Sequence, residues 1–317
     1  MKILEYDEKL TFKSKYYDEE AVFLDIETTG LSPMRSFIYL IGLVFIDLKR
    51  RTMHITQLIA ENKDEEEEIL KLMKERLEGY KTVVTYNGNS FDLPFIKKRA
   101  ERYGIYVSEP KSFDMYEKLR LHKDTLNLDG LKQKNIEKKL GIIREDRYNG
   151  GECISFYKDY AKNKNQESFD RFVLHNYDDL LYMPATMSIL DLLDEKITID
   201  IDGRKYKFDK HSIKKDLLMI DFTTDMGINT YVEEADYFIE ENERNRHLEF
   251  TLKTGYMKDA RKVKYLDKSS LGRLEGEDFD GEDSLEDGIV PIRIQNKLFI
   301  RNIILIVSQK KSLYMML

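Results

Sequence analysis

Ala21-Val-Phe-Leu-Asp-Ile-Glu27-Thr-Thr-Gly30 is the stretch whose reading decides the fold. It is an apolar, strand-like run ending in two carboxylates. Side chains alternate faces along a strand, so Asp25 and Glu27 share one face, while Val22, Leu24 and Ile26 occupy the other. Two adjacent carboxylates at the end of a buried strand repel each other and need a cation or protons to coexist. Strand ends often carry acids, however, so the pair alone leaves a metal site and an ordinary strand end both open.

Outward from this stretch, Phe37–Asp47 and Arg51–Ala60 are rich in Ile, Leu, Val and Thr and complete a three-strand meander. Asp64–Leu77 places apolar residues at helical spacing behind acids crowded into a first turn, where the helix dipole favours them. Thr82–Thr85 reads as a short buried strand. Then come the turn Asn87-Gly88-Asn89 and a helix from about Ser90 to Tyr103, with Pro94 tolerated near its start. Lys111–Asp114 reads as a strand. Helical patterns run from Leu128 to about Leu193, broken by a loop around Tyr148-Asn149-Gly150-Gly151. This order predicts an α/β domain with a mixed sheet and flanking helices. From Lys196 the texture changes: Lys196–Phe208, Leu217–Thr224, Leu248–Lys253, Val263–Leu266, Ile289–Ile294 and Leu298–Val307 read as strands, and Val232–Glu243 as a helix. The expected domains are therefore residues 1–195 and a smaller, mainly β accessory domain, 196–317.

Composition narrows the function. A chain of 317 residues is long enough for two cores, and 41% hydrophobic with 35% charged residues is a globular composition. The longest apolar run, Phe37 to Ile46, is too short to span a membrane, and the N-terminus reads as neither signal nor transit peptide, so a cytoplasmic location is expected. The single cysteine, Cys153, excludes an intramolecular disulfide and a thiolate zinc cluster. P-loop, dinucleotide-fold and nucleophile-elbow motifs are missing, and His54, His122, His211 and His247 lack zinc spacing. A net charge of -7 supplies no overall positive field, so a nucleic-acid ligand needs local basic patches or bound metal ions. One such patch is Lys258, Arg261, Lys262, Lys264 and Lys268 with Tyr256 and Tyr265 interleaved, which is also readable as a solvated strand face. The acidic run Gly276–Asp287 lacks the glycine and closing glutamate of a calcium loop and reads as an acidic surface loop.

Two further elements carry chemistry. Asn87-Gly-Asn-Ser-Phe-Asp92 sets a third carboxylate at the start of a helix, where it also reads as a capping acid. His175-Asn-Tyr-Asp-Asp179 puts a histidine and an aspartate four apart on one helical face. Leu24 to Leu31, Thr85 to Pro94, Phe113-Asp114 and His175 to Asp179, in this order, resemble the DEDD superfamily of 3′–5′ exonucleases of RNase H-like fold, with the bacterial YprB-like family the closer match. The resemblance covers about residues 20–195.

The resemblance implies metal ligands at Asp25, Glu27, Asp92 and Asp179, a general base at His175, and two divalent cations, Mg²⁺ or Mn²⁺. It also implies that Thr28, Thr29 and Leu31 border the 3′-terminal nucleotide, with Asn89 and Phe91 on the same rim, where an aromatic ring can stack on a base. The chemistry agrees: four carboxylates balance two divalent ions, which can neutralise both the attacking and the leaving oxygen of an anionic phosphodiester. One departure is visible. Other members carry tyrosine four residues before the last aspartate or histidine five before it, whereas here histidine stands at the tyrosine spacing. The expected function is a metal-dependent 3′–5′ exonuclease on single-stranded DNA or RNA. The alternatives are a nucleic-acid-binding scaffold that turns over weakly and a metal-dependent nucleotide phosphohydrolase.

Overall fold

The computed structural model describes residues 1–107, 110–201, 203–234, 237–268, 279–282, 285 and 288–309. Most of the acidic run Gly276–Asp287 lies outside them. The chain forms two compact units, Met1–Lys123 with Leu128–Asp191, and Asp124–Asn127 with Leu192–Leu317.

The first unit is built on strands β1 (Lys2–Lys9), β2 (Ala21–Thr28), β3 (Ile38–Asp47), β4 (Thr52–Ile59), β5 (Thr82–Thr85) and β6 (Lys111–Asp114). Their order is β1-β4-β3-β2-β5-β6. The expected meander pairs antiparallel, while β2, β5 and β6 run parallel, so the sheet is mixed as predicted. The fold is RNase H-like. Helices α1 (Glu66–Leu77) and α2 (Asp92–Arg102) cover one face, where Ile69, Leu70, Met73, Phe95 and Ile96 pack on Val22, Leu24 and Ile26. After the short α3 (Met115–Leu119) and α4 (Gln133–Lys139), helices α5 (Gly150–Asn163) and α6 (Gln166–Thr186) cover the other face. There Tyr157, Tyr160, Phe169 and Phe172 meet Tyr39, Leu40 and Ile59. Alternation along β2 thus sends Asp25 and Glu27 toward α6. Gly150 and Gly151 open α5 instead of lying in a loop, because Asn149 and Glu152 form a reciprocal capping box. The charged edge strand β1 has no counterpart among the expected elements.

The second unit follows α7 (Ser188–Ile197) and is mainly β. Strands β7 (Thr198–Ile201), β8 (Arg204–Lys214), β9 (Leu217–Thr224), β10 (Thr230–Glu233), β11 (Tyr237–Glu241) and β12 (Asn245–Thr251) form an antiparallel sheet ordered β10-β11-β12-β9-β8-β7. Strands β13 (Lys253–Tyr256), β14 (Lys262–Asp267), β15 (Ile289–Ile294) and β16 (Lys297–Leu298) form another, next to α8 (Ile300–Gln309).

Three expectations are corrected here. Val232–Glu243 is part of a strand pair: Glu241 turns inward to take hydrogen bonds from the Tyr206 hydroxyl (2.8 Å) and the Ile228 amide (3.0 Å). Leu298–Val307 is mostly helix, because Ile300, Ile303, Ile304 and Val307 recur at helical spacing and are all buried. Lys196–Phe208 is the end of α7 followed by a hairpin turning at Gly203, whose φ of +79° is left-handed.

Candidate functional site

Asp25 and Glu27 stand on the central strand β2, facing α6. Asp92 enters from the first turn of α2, where its Oδ1 accepts a hydrogen bond from the Ile26 amide at 3.1 Å. It therefore binds the strand between the first two carboxylates instead of capping its own helix. Asp179 and His175 face them from α6, with His175 Nε2 3.7 Å from a carboxylate oxygen of Glu27 and 3.7 Å from one of Asp179. Ligand atoms of Glu27, His175 and Asp179 all fall within 4.8 Å of one another. Of the five residues singled out for chemistry, Glu27, His175 and Asp179 thus meet at one point, and Asp25 lies close enough to feel the charges of Glu27, Asp92 and Asp179.

Their electrostatics are those of a cluster short of positive charge. Burial pushes the Asp25 carboxyl well above the usual range, and the charges of Asp92, Asp179 and Glu27 add to it. Burial likewise raises Glu27 to about 7, with Asp179 adding and His175 opposing. Asp92 also rises to about 7, from burial first, then Asp114 and Asp179, against the hydrogen bond from Ile26. An all-oxygen carboxylate set with raised proton affinity fits hard divalent cations such as Mg²⁺ or Mn²⁺.

The rim residues are placed less uniformly. Thr28 is buried and its hydroxyl donates to the Gly30 carbonyl at 2.9 Å. Thr29 takes the Phe37 amide at 3.1 Å on its hydroxyl and lines a cavity at that end of the sheet. Leu31 is 85% exposed and so is not a core residue. Phe91 is half-buried, packing on Phe95 and the α1–α2 core. Asn89 lines a different, largely apolar cavity with Leu93, Ile96 and Ile105. The structure therefore does not gather these five on one rim.

A model of the RNase_H superfamily matches residues 22–191, more than half of the sequence. The chain belongs to the RNase_H superfamily. Among curated proteins, a DNA polymerase of Pyrococcus horikoshii is 30% identical over 124 residues, 37% of this chain and 10% of the polymerase. A DNA polymerase of Methanocaldococcus jannaschii is 44% identical over 43 residues, 14% of this chain and 3% of its own. The chain thus matches about a tenth or less of these relatives' length. Among solved structures, the family B DNA polymerase of Pyrobaculum calidifontis has a TM-score of 0.39 at 16% identity, covering 68% of this chain and 37% of that one. An exonuclease I structure has a TM-score of 0.33 at 12% identity, covering 64% and 55%.

In this RNase_H superfamily chain, four residues outside the expected set shape the site. Asp146 accepts from His175 Nδ1 at 2.7 Å, which leaves Nε2 toward the carboxylates. Burial would raise the Asp146 carboxyl, but the hydrogen bonds from Lys134 and the Tyr148 amide and the His175 ring outweigh it and hold it low. Arg144 binds Asp179 and Glu137 together. Asn176, fully buried, donates to Asp25 Oδ2 at 2.7 Å while its own oxygen accepts from Gln57 at 2.8 Å. Asp25, Gly42 and Gln57 are direct neighbours across β2, β3 and β4. Asn176 packs on Gly42 so tightly that an added Cβ would lie 2.8 Å from its oxygen and 2.5 Å from Leu180. Finally, Asp114 takes the amides of Asn87 (2.9 Å) and Asn89 (3.0 Å) and caps α3, clamping the turn that leads to Asp92. The left-handed φ of Asn87, 67°, is one that an Asn-Gly turn tolerates. Of the four, only Asp114 and Asn176 fell within the matched motifs. Arg144 and Asp146 sit in an irregular segment without a periodic signal.

Proposed function

We propose that residues 1–195 form a metal-dependent 3′–5′ exonuclease domain that hydrolyses phosphodiester bonds of single-stranded DNA or RNA, of the DEDD type and nearest the YprB-like family. Residues 196–317 form its accessory domain. The observation that carries this reading is the meeting of Glu27, Asp179 and an oriented His175 imidazole on an RNase H-like sheet, with Asp25 and Asp92 electrostatically coupled to them. The stretch shared with DNA polymerases is in keeping with a polynucleotide substrate. Asp25, Glu27, Asp92 and Asp179 would hold the divalent ions, which when bound neutralise charge on the attacking and leaving oxygens. His175 accepts a proton from the attacking water at Nε2, and its Nδ1–H, donated to Asp146, fixes the tautomer and supports the imidazolium that forms. Asn176 holds the Asp25 carboxylate in place.

The test is incubation of 5′-labelled single-stranded DNA and RNA with Mn²⁺. A ladder of products shortened from the 3′ end is expected, and intact substrate at high enzyme concentration would refute the reading. One contact favours the scaffold alternative: Arg144 already neutralises Asp179. A chain that binds the oligonucleotide yet leaves it uncut would establish that alternative.

A further inference from the structure

In the first unit a cavity of about 650 Å³ opens between the segment after β2, the turn before α1, the end of α2 and helix α5. Its lining includes Thr29, Arg35, Lys63, Arg102, Lys158 and Lys162, and among the described residues no carboxylate lines it. Arg99, also at its wall, is spent on Glu66. The other five cations have no carboxylate partner among the described residues. Some exposed cations elsewhere on this unit are paired, as Arg76 is with Glu5, Lys81 with Glu20 and Arg171 with Glu167. A concentration of uncompensated positive charge in a protein of net charge -7 is a local feature, and a concave one.

The cavity is also joined to the carboxylates. Thr29 lies two residues beyond Glu27. Tyr157, in the cavity wall, stacks on Tyr39 at 4.1 Å, and the Tyr39 hydroxyl donates to Glu27 at 3.3 Å. The carboxylate cluster repels an incoming phosphate chain, so such a chain needs a positive surface close by. Five cations exceed what one phosphate requires but match a run of singly charged phosphodiesters. We propose that this cavity is a subsite for the sugar-phosphate chain of a single-stranded polynucleotide, gripping phosphates that extend away from the carboxylate cluster. The proposal rests on the reading of that cluster as a phosphodiesterase centre.

The experiment measures binding of fluorescent oligothymidylate to the full chain in EDTA, where no cleavage intervenes, across a salt series. It compares wild type with the surface variant Arg35→Gln/Lys63→Gln/Lys158→Gln/Lys162→Gln, checked for an unchanged melting temperature. Loss of at least about tenfold in affinity at low salt is expected, with a log K–log salt slope shallower by about 2 to 3. Unchanged affinity and slope would overturn the proposal. So would competition by ATP or pyrophosphate as effective as that of the oligonucleotide, which would assign the cavity to a free nucleotide. If the wild type binds through the cavity but cleaves nothing with Mn²⁺, the nuclease reading fails and the subsite stands. If the wild type cleaves and the variant binds like it, only the subsite fails.

Discussion

At His175 the two ring nitrogens are divided between partners: Nδ1 meets Asp146 and Nε2 faces Glu27 and Asp179. The unusual spacing in the sequence is thus met by an orienting acid from outside the motif. His175→Ala should bind Mn²⁺ like wild type but lose roughly 10²–10⁴-fold in turnover. Asp146→Asn should lose less, about 10–10²-fold. Single-turnover kinetics on labelled DNA read both, and a His175→Ala rate within a few-fold of wild type would remove the residue from the mechanism. Stability carries a second residue-scale signature. Glu27 and Asp92 titrate near 7 when folded, against about 4 for carboxylates in an unfolded chain. The folded state therefore binds more protons between about pH 4 and 7, and stability falls as pH rises through that window. In EDTA, Asp92→Asn should melt at or above wild type at pH 7.5 and lose that advantage by pH 4.5. A variant that melts well below wild type at pH 7.5 would show that Asp92 is a structural acid.

Among the elements, α1, α2 and β3 are tied together by one buried ion pair. Arg99 of α2 meets Glu66 of α1, both almost wholly enclosed, and Glu66 also takes the Ile38 amide and the Tyr103 hydroxyl, each at 2.8 Å. Removing one partner leaves a buried charge uncompensated, so Arg99→Ala should destabilise the chain by about 3–5 kcal/mol in urea unfolding. A loss under 1 kcal/mol would mean that water reaches Glu66. The same scale shows what the sequence could and could not disclose. Period-two alternation placed Asp25 and Glu27 on one face of a strand and the β2–β4 meander around them, because one face of that sheet packs on α1 and α2 and the other on α5 and α6. Ile300 to Val307 misled because a dense apolar run satisfies both periods. Val232 to Glu243 misled because a strand with an inward glutamate breaks the alternation, and only Tyr206 and Ile228, distant in sequence, make that burial tolerable. Arg144 and Asp146 were illegible for a related reason: their roles exist only once α6 is beside them.

At the scale of the whole molecule, an acidic protein must localise any attraction for polyanions. Among the described residues no helix is long and apolar enough to cross a membrane. In the second unit the basic strip is partly neutralised within itself: Arg261 pairs with Asp259 and Glu282, and Lys264 with Asp216. If the remaining cations there touch phosphates, Lys258→Gln/Lys262→Gln should lower the salt slope for single-stranded DNA by about 1.4, half the loss expected when four cavity cations are removed. An unchanged slope would assign residues 196–317 to another role.

Asp25, Glu27, Asp92 and Asp179 together are expected to hold divalent cations. Calorimetric titration of the metal-free full chain with Mn²⁺ at pH 7.5 tests it without any substrate. Two bound ions per wild-type chain and loss of that binding in Asp25→Asn are expected. Absence of Mn²⁺ binding by the wild-type chain, or undiminished binding by Asp25→Asn, would contradict it.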